Sequence, residues 1–336
     1  MKAAVMRGRK QIEIENVPTP EPKDGQIRIK IKFSAICGSD VHRFQFGMYK
    51  SGAIMGHEFI GVIDKIGPKV TTWKIGDRVV GGGGVPPEHM STSKGARYSA
   101  KTVGFENPNW GGFAEFKVMD SWAPLKIPDN VTDDVALFTE PCSIAIHAVR
   151  ESNFKLGDSS IVIGTGPIGL LLMQVLKSAG VSDLFVSEPS AIRAKAASKL
   201  GAKKVFNPNN DNIVDEIVSE TGGLGIPLAF DCAAAKNTLQ QSLEMVKKNG
   251  QVVIVSLGWE EIPLKTVDWV GREIQMKASY GSNSKDWSTA LKLMERGLIK
   301  TEDMLSKKSF VDFESLQESM TRLMNPRDDI QVVLVP

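Results

Sequence analysis

Cysteine is scarce in this chain, with only Cys37, Cys142 and Cys232 among 336 residues. So few thiols, so widely spaced, exclude a disulfide framework and suit a reducing compartment. An excess of either charge is also missing. The 41 Lys plus Arg against 39 Asp plus Glu leave a formal net charge of +2, which gives no electrostatic reason to expect a nucleic acid or an anionic membrane as partner. No apolar run is long enough to span a bilayer, because the longest, from Ile161 to Leu176, is broken by three glycines and a proline. Met1-Lys2-Ala3-Ala4-Val5 leads straight into strand-like sequence without a signal-peptide pattern, so the expected location is the cytoplasm. Internal repeats and low-complexity tracts are absent too. What is present is length: 336 residues suffice for two domains that bury roughly three-quarters of the unfolded surface.

The most informative stretch runs from Ile161 to Arg193. The β-branched run Ile161-Val162-Ile163 enters Gly164-Thr165-Gly166-Pro167-Ile168-Gly169, a G-x-G-x-x-G turn, and an apolar segment from Leu170 to Leu176 continues as a helix. Leu184-Phe185-Val186-Ser187 reads as the next strand and ends on Glu188, about 20 residues beyond the last glycine. A lone glycine turn is weak evidence, but strand, helix and spaced acid together predict a dinucleotide site. Gly164 permits the tight turn, Gly166 lets backbone N–H groups approach a pyrophosphate, and Gly169 lets the helix lie close to the strand. Pro167 and Ile168 complete the turn. Glu188 can accept hydrogen bonds from both ribose hydroxyls of NAD and would repel the 2′-phosphate of NADP, so NAD is the expected cofactor. Arg193 has two readings, a partner for a 2′-phosphate or a solvated helix residue.

Around this stretch the periodicity divides the chain. Gln26-Ile27-Arg28-Ile29-Lys30-Ile31-Lys32-Phe33 alternates as a half-buried strand, and Val62–Gly67 and Gly76–Val80 continue a small antiparallel barrel. Residues 81–112, opened by four glycines, lack periodicity and read as a long loop. Glu140-Pro141 marks a helix start, with proline at the first helical position. From Ser159 to Ser279, six β runs alternate with helices, which predicts a doubly wound parallel sheet. The tail, ending in the strand-like Ile330–Leu334, is assigned back to the first domain. The fold class is α/β, with a β-rich domain over 1–150 and 288–336 and a Rossmann domain over 151–287.

Cys37, His57 and Glu58 offer a thiolate, an imidazole and a carboxylate within 22 residues, and Glu140 is a fourth candidate. This mixture suits a catalytic zinc site that keeps one position open. Each residue alone has a plainer reading, a buried apolar thiol, a core imidazole or a solvated acid; their joint occurrence beside a dinucleotide fold favours the metal.

Cys37-Gly38-Ser39-Asp40-Val41-His42, Gly56-His57-Glu58, Gly76-Asp77-Arg78-Val79, Gly112-Phe113-Ala114-Glu115, Glu140-Pro141, the Gly164–Gly169 turn and Glu188 with Arg193 resemble, in order and spacing, the zinc-dependent medium-chain dehydrogenases. Within them the pattern is most similar to the polyol branch of sorbitol, threonine and butanediol dehydrogenases. The resemblance covers nearly the whole chain and implies a GroES-like catalytic domain beside the Rossmann domain. It further implies zinc on Cys37 and His57, with Glu58 and Glu140 either direct ligands or binding through water. A proton relay from the Ser39 hydroxyl through the nicotinamide ribose hydroxyl to His42 and solvent is implied as well, with Asp40 orienting the ligand shell. Many relatives carry four cysteines in the counterpart of loop 81–112 for a structural zinc; this chain has none there, so one zinc per chain is expected. Cys142, two residues past Glu140 on the same helix, would point away from it and is assigned to packing.

The implied activity is hydride transfer between a secondary alcohol, a polyol or cyclitol, and NAD. The alternatives are a metal-free NADPH-dependent quinone or enoyl reductase of the same fold, or a non-catalytic nucleotide-binding protein. The resemblance also implies a homo-dimer or homo-tetramer. Arg43, Phe44, Phe46 and Tyr49 are candidate pocket residues, and Lys94, Arg97 and Lys101 candidates for an anionic group.

Overall fold

The computed structural model divides the chain into two units, Met1–Glu140 with Gly281–Gly297 and Leu305–Pro336, and Pro141–Tyr280 with Leu298–Met304. It describes residues 1–48, 50–85, 111–258, 261–325 and 329–336. Tyr49, Lys94, Arg97, Lys101 and most of the loop expected over 81–112 lie outside the described residues.

In the first unit, β1 (Lys2–Gly8) and β2 (Gln11–Asn16) pair antiparallel. The larger sheet is built on β3 (Gln26–Ala35), which pairs with β4 (Glu58–Ile66) and β6 (Phe116–Asp120), while β5 (Arg78–Val80) joins β4 to β7 (Leu125–Lys126). The alternation in β3 explains its place. Ile27, Ile29 and Ile31 face a core with Phe59, Ile63 and Val79, each such side chain contributing about 1.5–3 kcal/mol, while Lys30 and Lys32 stay exposed. Helix α1 (Gly38–Phe46) fills the connection from β3 to β4, and α2 (Asp133–Ala136) precedes α3 (Thr139–Glu151).

The second unit holds six parallel strands: β8 (Ser160–Ile163), β9 (Leu184–Ser187), β10 (Lys204–Phe206), β11 (Ile226–Asp231), β12 (Val246–Ile254) and β13 (Gln275–Ala278). Their order, β10-β9-β8-β11-β12-β13, is that of a doubly wound dinucleotide fold, with its switch point between β8 and β11. Helices α4 (Pro167–Ala179), α5 (Ala191–Lys199), α6 (Ile213–Glu220), α7 (Thr238–Met245) and α8 (Thr266–Gly271) connect the strands. The polar Gln174 is buried within the apolar α4, where its side chain bonds both backbone groups of Lys300, at 3.1 and 2.7 Å. That double bond holds Leu298–Met304 in the second unit and satisfies an amide that burial would otherwise penalise.

The chain then supplies α9 (Ser284–Glu295), β14 (Phe310–Val311), α10 (Leu316–Arg322) and β15 (Val333–Leu334). The antiparallel pairing expected of β3, β4 and β5 is present, β15 adds antiparallel to β3, and β14 pairs parallel to β15, so the sheet as a whole is mixed. The helix between β14 and β15 allows the chain to return in the same direction.

Candidate active site

Register brings the candidate metal donors together. β3 and β4 pair with Ala35 opposite Glu58, so Cys37, two residues past the end of one strand, comes back beside His57 and Glu58 at the start of the other. The end of β3 is fixed further by the tail: Ile36 donates to the Val332 carbonyl at 2.9 Å, and the buried Gln331 amide donates to the Ile36 carbonyl at 2.9 Å. Cys37 is then the N-cap of α1, and Asp40 in the first turn accepts the Cys37 N–H at 3.3 Å. The same carboxylate lies 3.5 Å from His57 Nδ1 and is fully buried, so it orients the imidazole while closing the helix start. Gly56, at φ +90°, has Phe113 packed where a side chain would begin, which places His57 on a tight bend.

The ligand atoms of Cys37, His57 and Glu58 all lie within 4.8 Å of one another. Glu58 Oε2 is buried and has no hydrogen-bond partner among the described residues. Burial, and then the charge of Glu58, push the Cys37 thiol up to about 11. Glu58 is raised by burial as well. Burial would lower His57, but Asp40 and Cys37 outweigh it and hold the imidazole well above its ordinary value. An orphaned buried carboxylate oxygen beside a thiol and an imidazole is a donor set that fits a divalent zinc ion, whose charge would relieve the crowding of anions.

Glu140 stands on the first turn of α3, 5% exposed. Burial raises its carboxyl to about 8; the charge of His57 opposes that rise, and those of Glu58 and Asp40 add to it. It therefore borders the cluster without being one of the three mutually close donors. The helix begins at Thr139, whose hydroxyl donates to the Ala136 carbonyl at 2.6 Å, so Pro141 is the third helical residue and not the first as expected. Proline is tolerated there because the first four helical N–H groups have no intrahelical acceptor. Cys142 is fully buried, its thiol pushed up to about 12 by burial alone, and is absent from the donor cluster.

Ser39 and His42 stand on either side of Asp40 on α1. Ser39 Oγ is buried and without a hydrogen-bond partner among the described residues. His42 is half-buried, lowered by burial, with its ring stacked 6.4 Å from that of Phe46. Phe44, expected among pocket residues, is instead fully buried in a core with Met6, Ile12 and Val41, because it falls on the inward face of α1. Phe46 is exposed, and Arg43 is half-buried.

In the second unit the glycine turn has the predicted geometry. Gly164 sits at φ +85°, Gly166 caps α4, and Pro167 is its first residue. A Cβ on Gly169 would lie 2.0 Å from the Gly164 carbonyl oxygen, so only glycine lets helix and strand approach this closely. Ile168 completes the first turn of the helix. Glu188, 4% exposed, turns back onto this turn: Oε2 accepts the Thr165 N–H at 2.7 Å and the Thr165 hydroxyl at 3.1 Å, and Oε1 accepts the Ser190 N–H at 2.8 Å. Arg193 Nη1 lies 3.8 Å from where a Cβ on Gly166 would stand, so the partly buried guanidinium reaches the turn. Sequence reasoning missed Thr165, whose position in the turn carries no residue signal. It also missed Ser190, which a search for N-cap residues would have found before α5.

Residues 23–129 match the alcohol dehydrogenase GroES-like domain, and residues 167–296 match the zinc-binding dehydrogenase family. The (R,R)-butanediol dehydrogenase of Bacillus subtilis strain 168 is 31% identical over 352 residues, covering 100% of both chains. The chain belongs to the zinc-dependent medium-chain dehydrogenases. Sorbitol dehydrogenase of the same organism is 28% identical, covering 100% of this chain and 97% of that one. The crystal structure of 2R,3R-butanediol dehydrogenase from Bacillus subtilis superposes with a TM-score of 0.87 at 29% identity, over 100% of this chain and 99% of that one. As a member of this family the chain is an alcohol dehydrogenase that works with a nicotinamide cofactor. No helix among the described residues is long and apolar enough to cross a membrane.

Proposed function

We propose that this dehydrogenase oxidises a secondary alcohol of the polyol or cyclitol class with NAD, using one zinc per chain. The observation that carries the reading is the close set of Cys37, His57 and Glu58 with its orphaned buried oxygen. The first unit is the catalytic domain and the second the NAD-binding domain. Cys37 and His57 would hold the zinc with Glu58, and Glu140 would approach it directly or through water. When bound there, zinc supplies Lewis acidity that makes an alcohol hydroxyl readily deprotonated. The remaining work belongs to the protein. Asp40 keeps His57 oriented, Ser39 Oγ accepts the alcohol proton as it gives up its own hydroxyl proton, and the His42 imidazole takes the proton at the end of that relay and passes it to solvent. Glu188 and Arg193 bind the adenosine end of the cofactor, and Gly164, Gly166 and Gly169 make room for its pyrophosphate. A negative carboxylate at that end favours NAD over NADP.

The polyol class follows the named relatives, whose substrates are a diol and a hexitol by name. A metal-free quinone or enoyl reductase would have no use for the three-donor set. Homo-oligomerisation and a cytoplasmic location accompany the reading, the latter because three scattered cysteines suit a reducing compartment. The test is an NADH absorbance assay over polyols, cyclitols, simple secondary alcohols and hydroxy acids, run with NAD and with NADP. NAD reduction by a polyol or cyclitol is expected. NADP used more efficiently than NAD, or activity confined to quinone or enoyl substrates, would overturn the assignment.

A further inference from the structure

A carboxylate offers about four lone-pair sites to donors. Among the described residues Glu188 already receives three donors: the Thr165 N–H and hydroxyl on Oε2, at 2.7 and 3.1 Å, and the Ser190 N–H on Oε1, at 2.8 Å. Oε2 is therefore filled by one residue of the glycine turn, and one acceptor site remains, on Oε1. Two ribose hydroxyls cannot both be accepted by this carboxylate while Thr165 keeps its bond. Thr165 is fully buried, so its hydroxyl has no solvent to turn to.

We propose that the Thr165 hydroxyl is a specificity-determining group of the dinucleotide site, occupying on Glu188 Oε2 the place a ribose hydroxyl would take. The inference rests on the reading of Glu188 as the ribose acid and deepens it. Glu188 then meets the ribose through a single hydrogen bond on Oε1. Its preference for NAD comes from repulsion of the 2′-phosphate more than from paired ribose recognition. Thr165 limits the affinity for NAD while the N–H of the same residue holds the turn.

The experiment measures dissociation constants of NADH and NADPH by cofactor fluorescence for the purified enzyme and three variants. Thr165→Val removes the hydroxyl at nearly constant shape, Thr165→Ser retains it, and Glu188→Gln keeps the shape of the acid without its charge. Thr165→Val should bind NADH about three- to tenfold tighter, the worth of one net hydrogen bond. The NADH-to-NADPH preference should widen, and Thr165→Ser should match the wild type. If Thr165→Val does not fold, Thr165→Ala removes the same hydroxyl and carries the same expectation. Unchanged or weaker NADH binding without the hydroxyl overturns the proposal. Glu188→Gln separates the two layers. A narrowed preference with no effect at Thr165 removes the Thr165 inference and leaves the ribose acid standing, whereas an unmoved preference removes both.

Discussion

At the scale of single residues, the proposed relay uses a group whose protonation burial displaces from its ordinary range. His42 is held below its usual value near 6.5 by burial, so it stays neutral, and able to accept a proton, to a lower pH than a solvated imidazole would. The direction has a kinetic consequence. As pH falls through the lowered pKa the imidazole becomes charged and cannot accept the alcohol proton, so wild-type oxidation should fall there. His42→Ala should cost roughly 10- to 100-fold just above that pKa, short of the ~10²–10⁴ of a fully buried acid–base group because water partly replaces a half-buried imidazole. The penalty should shrink as pH rises and solvent takes the proton unaided, and added imidazole should restore part of the rate. The measurement is the pH profile of alcohol oxidation for both proteins with zinc content checked; parallel profiles would remove His42 from the relay.

At the scale of elements, helix ends do much of the positioning. Cys37 and Asp40 stand beside the candidate donors because they are the cap and first turn of α1, and the glycine turn is the start of α4. A less visible end is closed by Arg272, whose guanidinium donates to the carbonyls of Leu243, Glu244 and Val246 at the end of α7, at 2.6, 3.1 and 2.7 Å, and to that of Asp268 in α8 at 3.3 Å. A cation on the α7 carbonyls, which lie past the last helical donors, satisfies both the hydrogen bonds and the helix dipole. Arg272→Ala should therefore destabilise the protein by about 2–3 kcal/mol. Arg272→Lys should recover less than half of that, because one ammonium cannot span four acceptors. Chemical denaturation of the three proteins decides it; a loss under ~0.5 kcal/mol for the alanine variant would show that the carbonyls are as well served by water.

At the scale of the whole molecule, metal donors and dinucleotide turn belong to different units. The three close donors are the one such group among the described residues, so elemental analysis should find one zinc per chain. Cys37→Ala should lose the zinc and turnover yet keep NADH affinity within about twofold, since the two sets of residues belong to different units and independent sites behave additively. Two tightly bound zincs in the wild type, or loss of NADH binding with the metal, would contradict this division. The tail belongs to the same scale. Phe313, Leu316, Met320, Val332 and Leu334 complete a core with Met6, Val41 and Phe44, so the first unit needs the last residues of the chain.

What the sequence determined by itself was whatever a local pattern can encode. Gly164, at φ +85°, and Gly169, where a Cβ would meet the Gly164 carbonyl oxygen, specify their turn because no other residue fits that backbone, and the isoleucines of β3 specify their buried face because strand side chains alternate. Cys37, His57 and Glu58 were legible as donors by chemical type. Tertiary structure alone decided that they meet, through the β3–β4 register, and that Glu140 borders them without joining the closest set. It also turned Phe44 into core, made β14 parallel to its neighbour, and gave Glu188 to Thr165 and Ser190. These outcomes depend on how segments far apart in the chain pack and pair, and a residue's own type and near neighbours do not encode which distant groups will fill its hydrogen bonds.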